Sequence, residues 1–254
     1  MAWFDENYVF NQTQLTLAHI TDTHLFAVSS GEYFGVNTAE HFKRVLSELA
    51  TKTLDAVIFG GDLTQDHTVE SYQLFAQILA ESPLECPLFW VPGNHDDIAF
   101  LAKISKGQIH SAKRLTFELG QVLLLNSKGV TPAGWVDAAH LIEIERHTSV
   151  PSIAFCHHNP LPINGYLDKH MLENGPQLLN CLANTGRVLN LFHGHVHHEY
   201  DFTFRTLKIN ATPATSIQFT RHTEQWQQEN LGAGYRLVSW TRDGIQTEVK
   251  WLEK

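Results

Sequence analysis

The residues with the clearest chemical potential lie in five short polar clusters, each at the end of an apolar run. In chain order the clusters read "ITDTH", "GGDLT", "GNHDD", "CHHNP" and "GHVHH". Carboxylate oxygens, an amide oxygen and imidazole nitrogens are ligands that suit divalent manganese, iron and zinc. The candidate ligands are Asp22, His24, Asp62, Asn94, His95, His157, His195 and His197. This set exceeds one tetrahedral shell and is sufficient for two ions that share a carboxylate.

The apolar runs before the clusters predict strands, and amphipathic segments between them predict helices. The strand candidates are "QLTLAHI", "DAVIFGGD", "PLFWVPGNHD", "SIAFCHH" and "RVLNLFHGH", with two more around 114–126. Apolar residues at helical spacing predict helices over 38–51, 69–81, 135–147 and 172–183. After Glu199, four stretches predict antiparallel strands. The alternation indicates a mixed two-sheet α/β fold, and ligands bind at strand carboxyl ends in such folds, so we expect the clusters to meet.

Composition limits the class of protein. The chain has 254 residues, 43% of them hydrophobic and 18% charged, without repeats or a linker, so we expect a single domain over 1–254. A net charge of −9 argues against a nucleic-acid partner. No apolar run approaches the roughly 20 residues of a membrane helix. The amino-terminal "MAWFDENYVF" lacks the basic residue of a secretory signal, so a cytoplasmic protein with no membrane partner is expected.

The clusters, in their order, resemble those of the calcineurin-like metallophosphoesterases. The matching motifs are Asp22-x-His24, Gly61-Asp62, Gly93-Asn94-His95-Asp96, His157 and Gly194-His195-x-His197. Within that family the chain is most similar to the bacterial class III cyclic nucleotide phosphodiesterases, on stretches such as "ITDTHLF", "GGDLTQD", "HHNPLP" and "ATPATSIQF". The resemblance implies a four-layer αββα sandwich with two mixed β-sheets.

The resemblance also implies two divalent metal ions per chain as cofactors, iron or manganese or both, with zinc and cobalt also compatible. Carried over position by position, Asp22, His24 and His197 would hold one ion. The second ion would take Asn94, His157 and His195, and Asp62 would bridge the two.

The implied reaction is the hydrolysis of 3′,5′-cyclic AMP to 5′-AMP by a hydroxide that bridges two metal ions. His95 is expected to stabilise or protonate the departing 3′-oxygen, and Asp96 to orient His95. Asn94, His95 and His195 are expected to contact this small cyclic nucleotide. The base is expected near loops Phe26–Tyr33 or Pro213–His222, where no residue carries a recognisable signature.

Several alternatives stay open at the level of sequence. A broader phosphodiesterase acting on glycerophosphodiesters or 2′,3′-cyclic nucleotides would use the same metal ligands. A non-catalytic phosphoesterase-fold scaffold would be expected to lack ligands, and here every ligand position is filled. The chain allows a homo-oligomer. Alternation along a strand does not choose between His157 and His158, and it does not exclude His193 as a ligand. His198 is expected at the rim, and His67 matches no motif.

Overall fold

The computed structural model describes residues 2–253. The strands are β1 Asn7–Val9, β2 Leu15–Ile20, β3 Glu32–Tyr33, β4 Val36–Asn37, β5 Ala56–Phe59, β6 Leu88–Trp90, β7 Ile109–His110, β8 Arg114–Phe117, β9 Gly120–Leu124, β10 Ser152–Cys156, β11 Val188–His193, β12 Tyr200–Phe204, β13 Leu207–Ala211, β14 Gln218–Phe219, β15 Gln228–Glu229, β16 Gly234–Thr241 and β17 Gly244–Trp251. The helices are α1 Thr38–Leu49, α2 Val69–Glu81, α3 Ile98–Ile104, α4 Ala138–His147 and α5 Gly175–Asn184, with a 3-10 helix at Tyr166–His170.

Most of these strands belong to two large mixed sheets. The order in the first sheet is β1-β8-β9-β10-β11-β13-β12, and the order in the second is β17-β16-β2-β5-β6-β7. Strands β9, β10, β11 and β13 run parallel, as do β2, β5, β6 and β7. Antiparallel strands complete each sheet, with β16 and β17 at one edge of the second. The predicted mixed two-sheet arrangement is confirmed.

The two sheets face each other across an apolar core. Leu17 of β2 and Ile58 of β5 are buried there with Phe155 of β10 and Phe192 of β11, whose rings stack at 4.8 Å. Side chains alternate along a strand, so the neighbouring Ala18 points to the opposite face, where helices cover it. Both faces of the parallel strands are therefore buried, which explains why their sequences read as continuous apolar runs.

Helices cover the outer face of each sheet and complete the four layers. On the second sheet, Phe42 of α1 and Phe75 of α2 stack at 4.7 Å, and Phe75 packs against Phe59 of β5. On the first sheet, Ile144 of α4 and Leu178 of α5 belong to one buried cluster with strands β9 to β11. The αββα sandwich is confirmed.

The predicted helices differ from the observed ones mainly at their ends. Helix α2 has the predicted bounds, and its first turn is capped by the Thr68 side chain, which accepts from Ser71 N. Helix α5 begins at Gly175 rather than at 172, because Pro176 has no N–H and suits a first turn. Helix α3 was not predicted. None of the helices in residues 2–253 combines the length and the hydropathy that crossing a bilayer requires.

Candidate metal centre

The five polar clusters meet at the carboxyl ends of β2, β5, β6, β10 and β11. The structure brings together all seven predicted ligands and His95, although they come from five separate loops. Three of these strands belong to the second sheet and two to the first. The site therefore lies where the ends of the two sheets adjoin.

Asp22, His24 and His197 form the first ligand group. Their ligand atoms all lie within 4.8 Å of one another. The Nε2 atoms of His24 and His197 are 3.1 Å apart, and His197 Nε2 is 3.3 Å from Asp22 Oδ1. Three buried side chains thus direct a carboxylate oxygen and two ring nitrogens at one point, as a metal site requires.

Asn94, His157 and His195 form the second group, and Asp62 reaches both. His157 Nε2 is 3.2 Å from Asn94 Oδ1, and the rings of His157 and His195 are 5.1 Å apart. Asp62 Oδ2 lies 3.3 Å from His157 Nε2 and 3.8 Å from His24 Nε2. A single carboxylate oxygen is therefore within reach of ligands from both groups.

The neighbouring histidines His157 and His158 have different roles in the structure. Both ring nitrogens of His158 have partners, since Nδ1 is 3.0 Å from Ser127 Oγ and Nε2 is 3.3 Å from Pro132 O. In His157 only Nδ1 is used in this way, donating to Gly60 O at 2.8 Å. His157 Nε2 is left facing the cluster, so the structure favours His157 as the ligand.

Hydrogen bonds outside the cluster orient its ligands. His197 Nδ1 donates to Ile217 O at 2.8 Å, which leaves the lone pair on Nε2, as the bond to Gly60 does for His157. Asp22 Oδ2 accepts from Thr21 Oγ1 at 2.6 Å and from the His195 N–H at 3.1 Å. Asp22 Oδ1 remains available to the cluster.

The backbone of the cluster is held in an uncommon conformation. Five of the candidate ligands have positive φ, namely Asp22 (55°), His24 (45°), Asp62 (55°), His195 (67°) and His197 (56°). This region is sparsely populated by residues other than glycine, and such strain concentrates at functional sites.

Close approach of the loops depends on two glycines. A Cβ on Gly93 would lie 2.1 Å from Asp62 Oδ1, and a Cβ on Gly194 would lie 2.1 Å from Thr21 Oγ1. Side chains at these positions would overlap the groups that orient the ligands.

The buried charges of the cluster attract cations. Burial alone would raise the pKa of Asp62, but the facing imidazoles, His157 first, hold that pKa well below its ordinary value. Burial opposes protonation of His157, yet Asp62 raises the pKa of this imidazole to about 9. Burial lowers the pKa of His24 and of His195 to about 3, so both rings keep free lone pairs. The cluster therefore combines carboxylates that require positive charge with the unprotonated nitrogens of His24 and His195.

The residues present fit two divalent cations. Among the described residues, Asp22 Oδ1 and His195 Nε2 are buried without a hydrogen-bond partner. Buried polar atoms are nearly always paired, and a cation in the ligand group to which each atom belongs would satisfy it. Oxygen and imidazole ligands suit manganese, iron, zinc and cobalt.

His95 borders the cluster and stacks on His67, which matches no motif. The rings of His95 and His67 are parallel within 9° at 5.0 Å, and His67 Nδ1 donates to the His95 carbonyl. The edge of the His95 ring meets His24 at 5.0 Å. Nothing in the spacing around His67 reveals this contact, because it joins two loops.

Asp96 does not orient the His95 ring as expected. The Asp96 carboxylate is buried and accepts from the backbone N–H groups of Asp62, Leu63 and Gly93 at 2.8–2.9 Å. Asp96 therefore joins the "GGD" loop to the "GNHD" loop, and it acts on His95 only through the backbone. This corrects the sequence-based assignment of Asp96 to a contact with that imidazole.

The remaining two histidines of the "HGHVHH" stretch lie outside the cluster. His193 is buried, with Nδ1 bonded to Gly194 O at 3.0 Å, and burial lowers its pKa to about 4. His198 accepts from Arg221 Nε at 2.9 Å and packs near Trp251. Neither belongs to either ligand group.

A cavity of about 440 Å³ opens beside the cluster. Its walls include His95, Lys128, Tyr33 and Trp226, of which only His95 was predicted as a site residue. Lys128 Nζ donates to the Asn94 carbonyl at 2.9 Å, which places a positive charge at the rim. Pockets of roughly 300–1,000 Å³ are typical of small-molecule sites.

Comparison with known proteins gives one family and a consistent set of relatives. The model of the calcineurin-like phosphoesterase family matches residues 15–199. The chain is 58% identical over 266 residues to a protein of Pseudoalteromonas sp. (strain SM9913) named a probable cyclic nucleotide phosphodiesterase, with 100% of both chains covered. It is 34% identical over 257 residues to the 3′,5′-cyclic adenosine monophosphate phosphodiesterase CpdA of Escherichia coli (strain K12), covering 95% of this chain and 91% of that protein.

A solved structure of a dimetal phosphatase from Danio rerio shares the fold. It superposes with a TM-score of 0.65 over 92% of this chain and 98% of that chain, at 13% sequence identity. At that identity the similarity concerns the fold alone.

Proposed function

The chain belongs to the calcineurin-like metallophosphoesterase family, and we propose that it is a metal-dependent phosphodiesterase that hydrolyses 3′,5′-cyclic AMP to 5′-AMP. The observation that carries the proposal is the pair of ligand groups, buried except for the half-buried Asn94, that share Asp62 beside an open cavity. Relatives named as cyclic nucleotide phosphodiesterases, at 58% and 34% identity, support the substrate class.

The ligand groups define where the metal ions would be held. Asp22, His24 and His197 would hold one ion, Asn94, His157 and His195 the other, and Asp62 would contribute to both. Ions held there would supply Lewis-acid stabilisation of the phosphoryl oxygens and would lower the pKa of water. The two carboxylates leave a net positive site for an anionic diester, and Lys128 adds charge at the rim.

His95 is the residue proposed to assist the leaving group. Its ring lines the cavity, packed between His67 and His24, so its orientation is restricted. Donation of a proton or hydrogen bond from the imidazole to the departing 3′-oxygen would offset the negative charge that develops there. The Asp96 carboxylate holds the backbone of the loop that carries His95, because it binds Gly93 N in that loop and Asp62 N in the adjacent one.

The substrate can be tested by comparing kcat/KM on 3′,5′-cyclic AMP, 2′,3′-cyclic AMP and glycerophosphocholine after loading with manganese and iron. We expect a strong preference for 3′,5′-cyclic AMP. An identically prepared Asp62→Ala variant measures contaminating activity. A preference for either other diester would refute the substrate assignment and favour the broader phosphodiesterase. Absence of activity on all three, with metal bound, would favour a non-catalytic scaffold.

A further inference from the structure

One side of the cavity is an aromatic surface built from three distant segments, which we call the aromatic wall. It consists of four cavity-lining rings, Tyr33 from the β3–β4 hairpin, Tyr166 from the 3-10 helix, and Phe219 and Trp226 from the β14–β15 segment, together with Phe34 of the hairpin, which contacts Trp226 at the edge of the cavity. Trp226 lies at its centre, 4.7 Å from the Phe219 ring, 5.3 Å from Tyr166 and 5.5 Å from Phe34. Its indole N–H donates to Gln228 Oε1, which fixes the orientation of the ring.

The aromatic wall is continuous with the metal ligands. Tyr33 stacks on the His24 ring at 5.1 Å with an interplanar angle of 25°, and Phe219 lies 4.4 Å from the His197 ring. Trp226 lines the cavity and remains 38% exposed. A group attached to a phosphate at the metal centre would therefore lie beside a cluster of aromatic rings inclined to one another.

Phe34 occupies a position that folding alone does not explain. Phe34 and Gly35 form the two-residue loop of the hairpin, with φ of 51° and 75°. Loops in which both central residues have positive φ favour Asn-Gly, and a bulky residue there carries an energetic cost. The Phe34 side chain regains little through burial, since it is 50% exposed. A strained and exposed aromatic side chain beside a cavity indicates a binding role.

We propose that the aromatic wall is the nucleobase subsite, in which Trp226 and Phe34 stack against the purine ring of the substrate. This inference rests on the proposed cyclic nucleotide phosphodiesterase activity and identifies residues that select among diesters. Aromatic side chains bind bases through their π-faces, a mode that needs flat exposed rings rather than charged groups. Tyr33 and Phe219 belong to the two loops expected near the base, 26–33 and 213–222, and Phe34 and Trp226 lie just beyond the ends of those loops.

Phe34→Asn is the sharpest test because asparagine suits the turn. We expect its denaturation midpoint to equal or exceed that of the wild type, since the strain is relieved. The ratio of kcat/KM for cyclic AMP to kcat/KM for base-free ribose 3′,5′-cyclic phosphate should fall by roughly 5- to 100-fold, the range of base stacking on aromatic side chains. If kcat/KM falls by the same factor for both substrates, Phe34 supports the fold of the site and the proposal is overturned.

Trp226→Leu and its matched control Trp135→Leu provide a second test. Trp135 is exposed to a similar degree, 43%, and lies outside the aromatic wall. We expect kcat/KM for cyclic AMP to fall relative to that for the base-free cyclic phosphate in Trp226→Leu and not in Trp135→Leu. The proposal would be overturned if the ratio of kcat/KM for cyclic AMP to kcat/KM for the base-free cyclic phosphate were the same in both variants and in the wild type. Selective loss on glycerophosphocholine would also overturn it, and would make the wall a site for a quaternary ammonium group.

Fluorescence titration gives a readout that is independent of hydrolysis. Addition of 5′-AMP to the purified protein should quench tryptophan emission in the wild type and in Trp135→Leu, and ribose 5-phosphate should not. Trp226→Leu should lose this response. If no diester is hydrolysed but AMP still quenches, the proposed function fails while base binding stands. If cyclic AMP is hydrolysed and AMP gives no Trp226-dependent quenching, only the base subsite is refuted.

Discussion

Gly93→Ala tests whether the contact between two loops determines the geometry of the metal centre. An added Cβ would lie 2.1 Å from Asp62 Oδ1 and 2.3 Å from Asp62 N. Real Cβ contacts are not closer than 3.0 Å, so these atoms must separate by about 0.9 Å (3.0 minus 2.1) and 0.7 Å (3.0 minus 2.3). Asp62 cannot rotate away freely, because Oδ1 accepts from His95 N and Asp62 N donates to Asp96.

The expected cost follows from these overlaps. Forcing a methyl group into a packed site costs about 1–3 kcal/mol. Loss of one of the buried backbone hydrogen bonds adds about 1–3 kcal/mol. Gly93→Ala should therefore lower the free energy of unfolding by roughly 2–6 kcal/mol. The shift also exceeds the tolerance of about 0.5 Å within which a site must be held, so manganese affinity should fall at least tenfold.

Urea denaturation of the metal-free protein and calorimetric titration with manganese measure the two effects. Gly165→Ala is a matched control, because its Cβ would meet Ile163 Cδ1 at 3.5 Å, an ordinary contact. Like Gly93, Gly165 is absent from the positive-φ residues of the described chain, so neither alanine adds αL strain. If Gly93→Ala binds two manganese ions with wild-type affinity and its free energy of unfolding is within about 0.5 kcal/mol of that of Gly165→Ala, the contact between the loops does not set the geometry of the site.

Three further predictions follow from single side chains. His95→Ala should retain both metal ions while kcat falls by about 10²- to 10⁴-fold, as metal analysis and steady-state kinetics will show; loss of metal would make His95 structural. Asp62→Ala should abolish metal binding at both sites. If calorimetry shows that this variant still binds two ions tightly, Asp62 is not shared between the two groups. Burial holds the pKa of Lys113 well below its ordinary value. Between the folded and the unfolded pKa, unfolding takes up a proton, so the free energy of unfolding rises with pH in that window. Lys113→Met should stabilise the protein by about 1–2 kcal/mol near pH 7, and equal gains in urea denaturation near pH 7 and pH 10 would contradict this.

The strand-and-helix pattern was accessible from the sequence because each element is marked by local chemistry. Helix α2 was predicted with its observed bounds, since its apolar residues recur at helical spacing after a threonine cap. The sequence does not predict helix α3, because this helix has only seven residues and directly follows a polar cluster that is also typical of a turn. The β3–β4 hairpin is also not predicted, because Phe34 occupies the position in its loop where asparagine is expected.

The residue types available to bind metal, and their places at the ends of apolar strands, can be read directly from the sequence. Those features depend on near neighbours in the chain, so they can be read from spacing. The tertiary structure decided the rest. It separated His157 from His158 by giving both nitrogens of His158 other partners, and it placed Asp96 on three backbone N–H groups instead of on His95. The contacts of His67 and Trp226 join loops far apart in the chain, and no periodicity records a distance between loops.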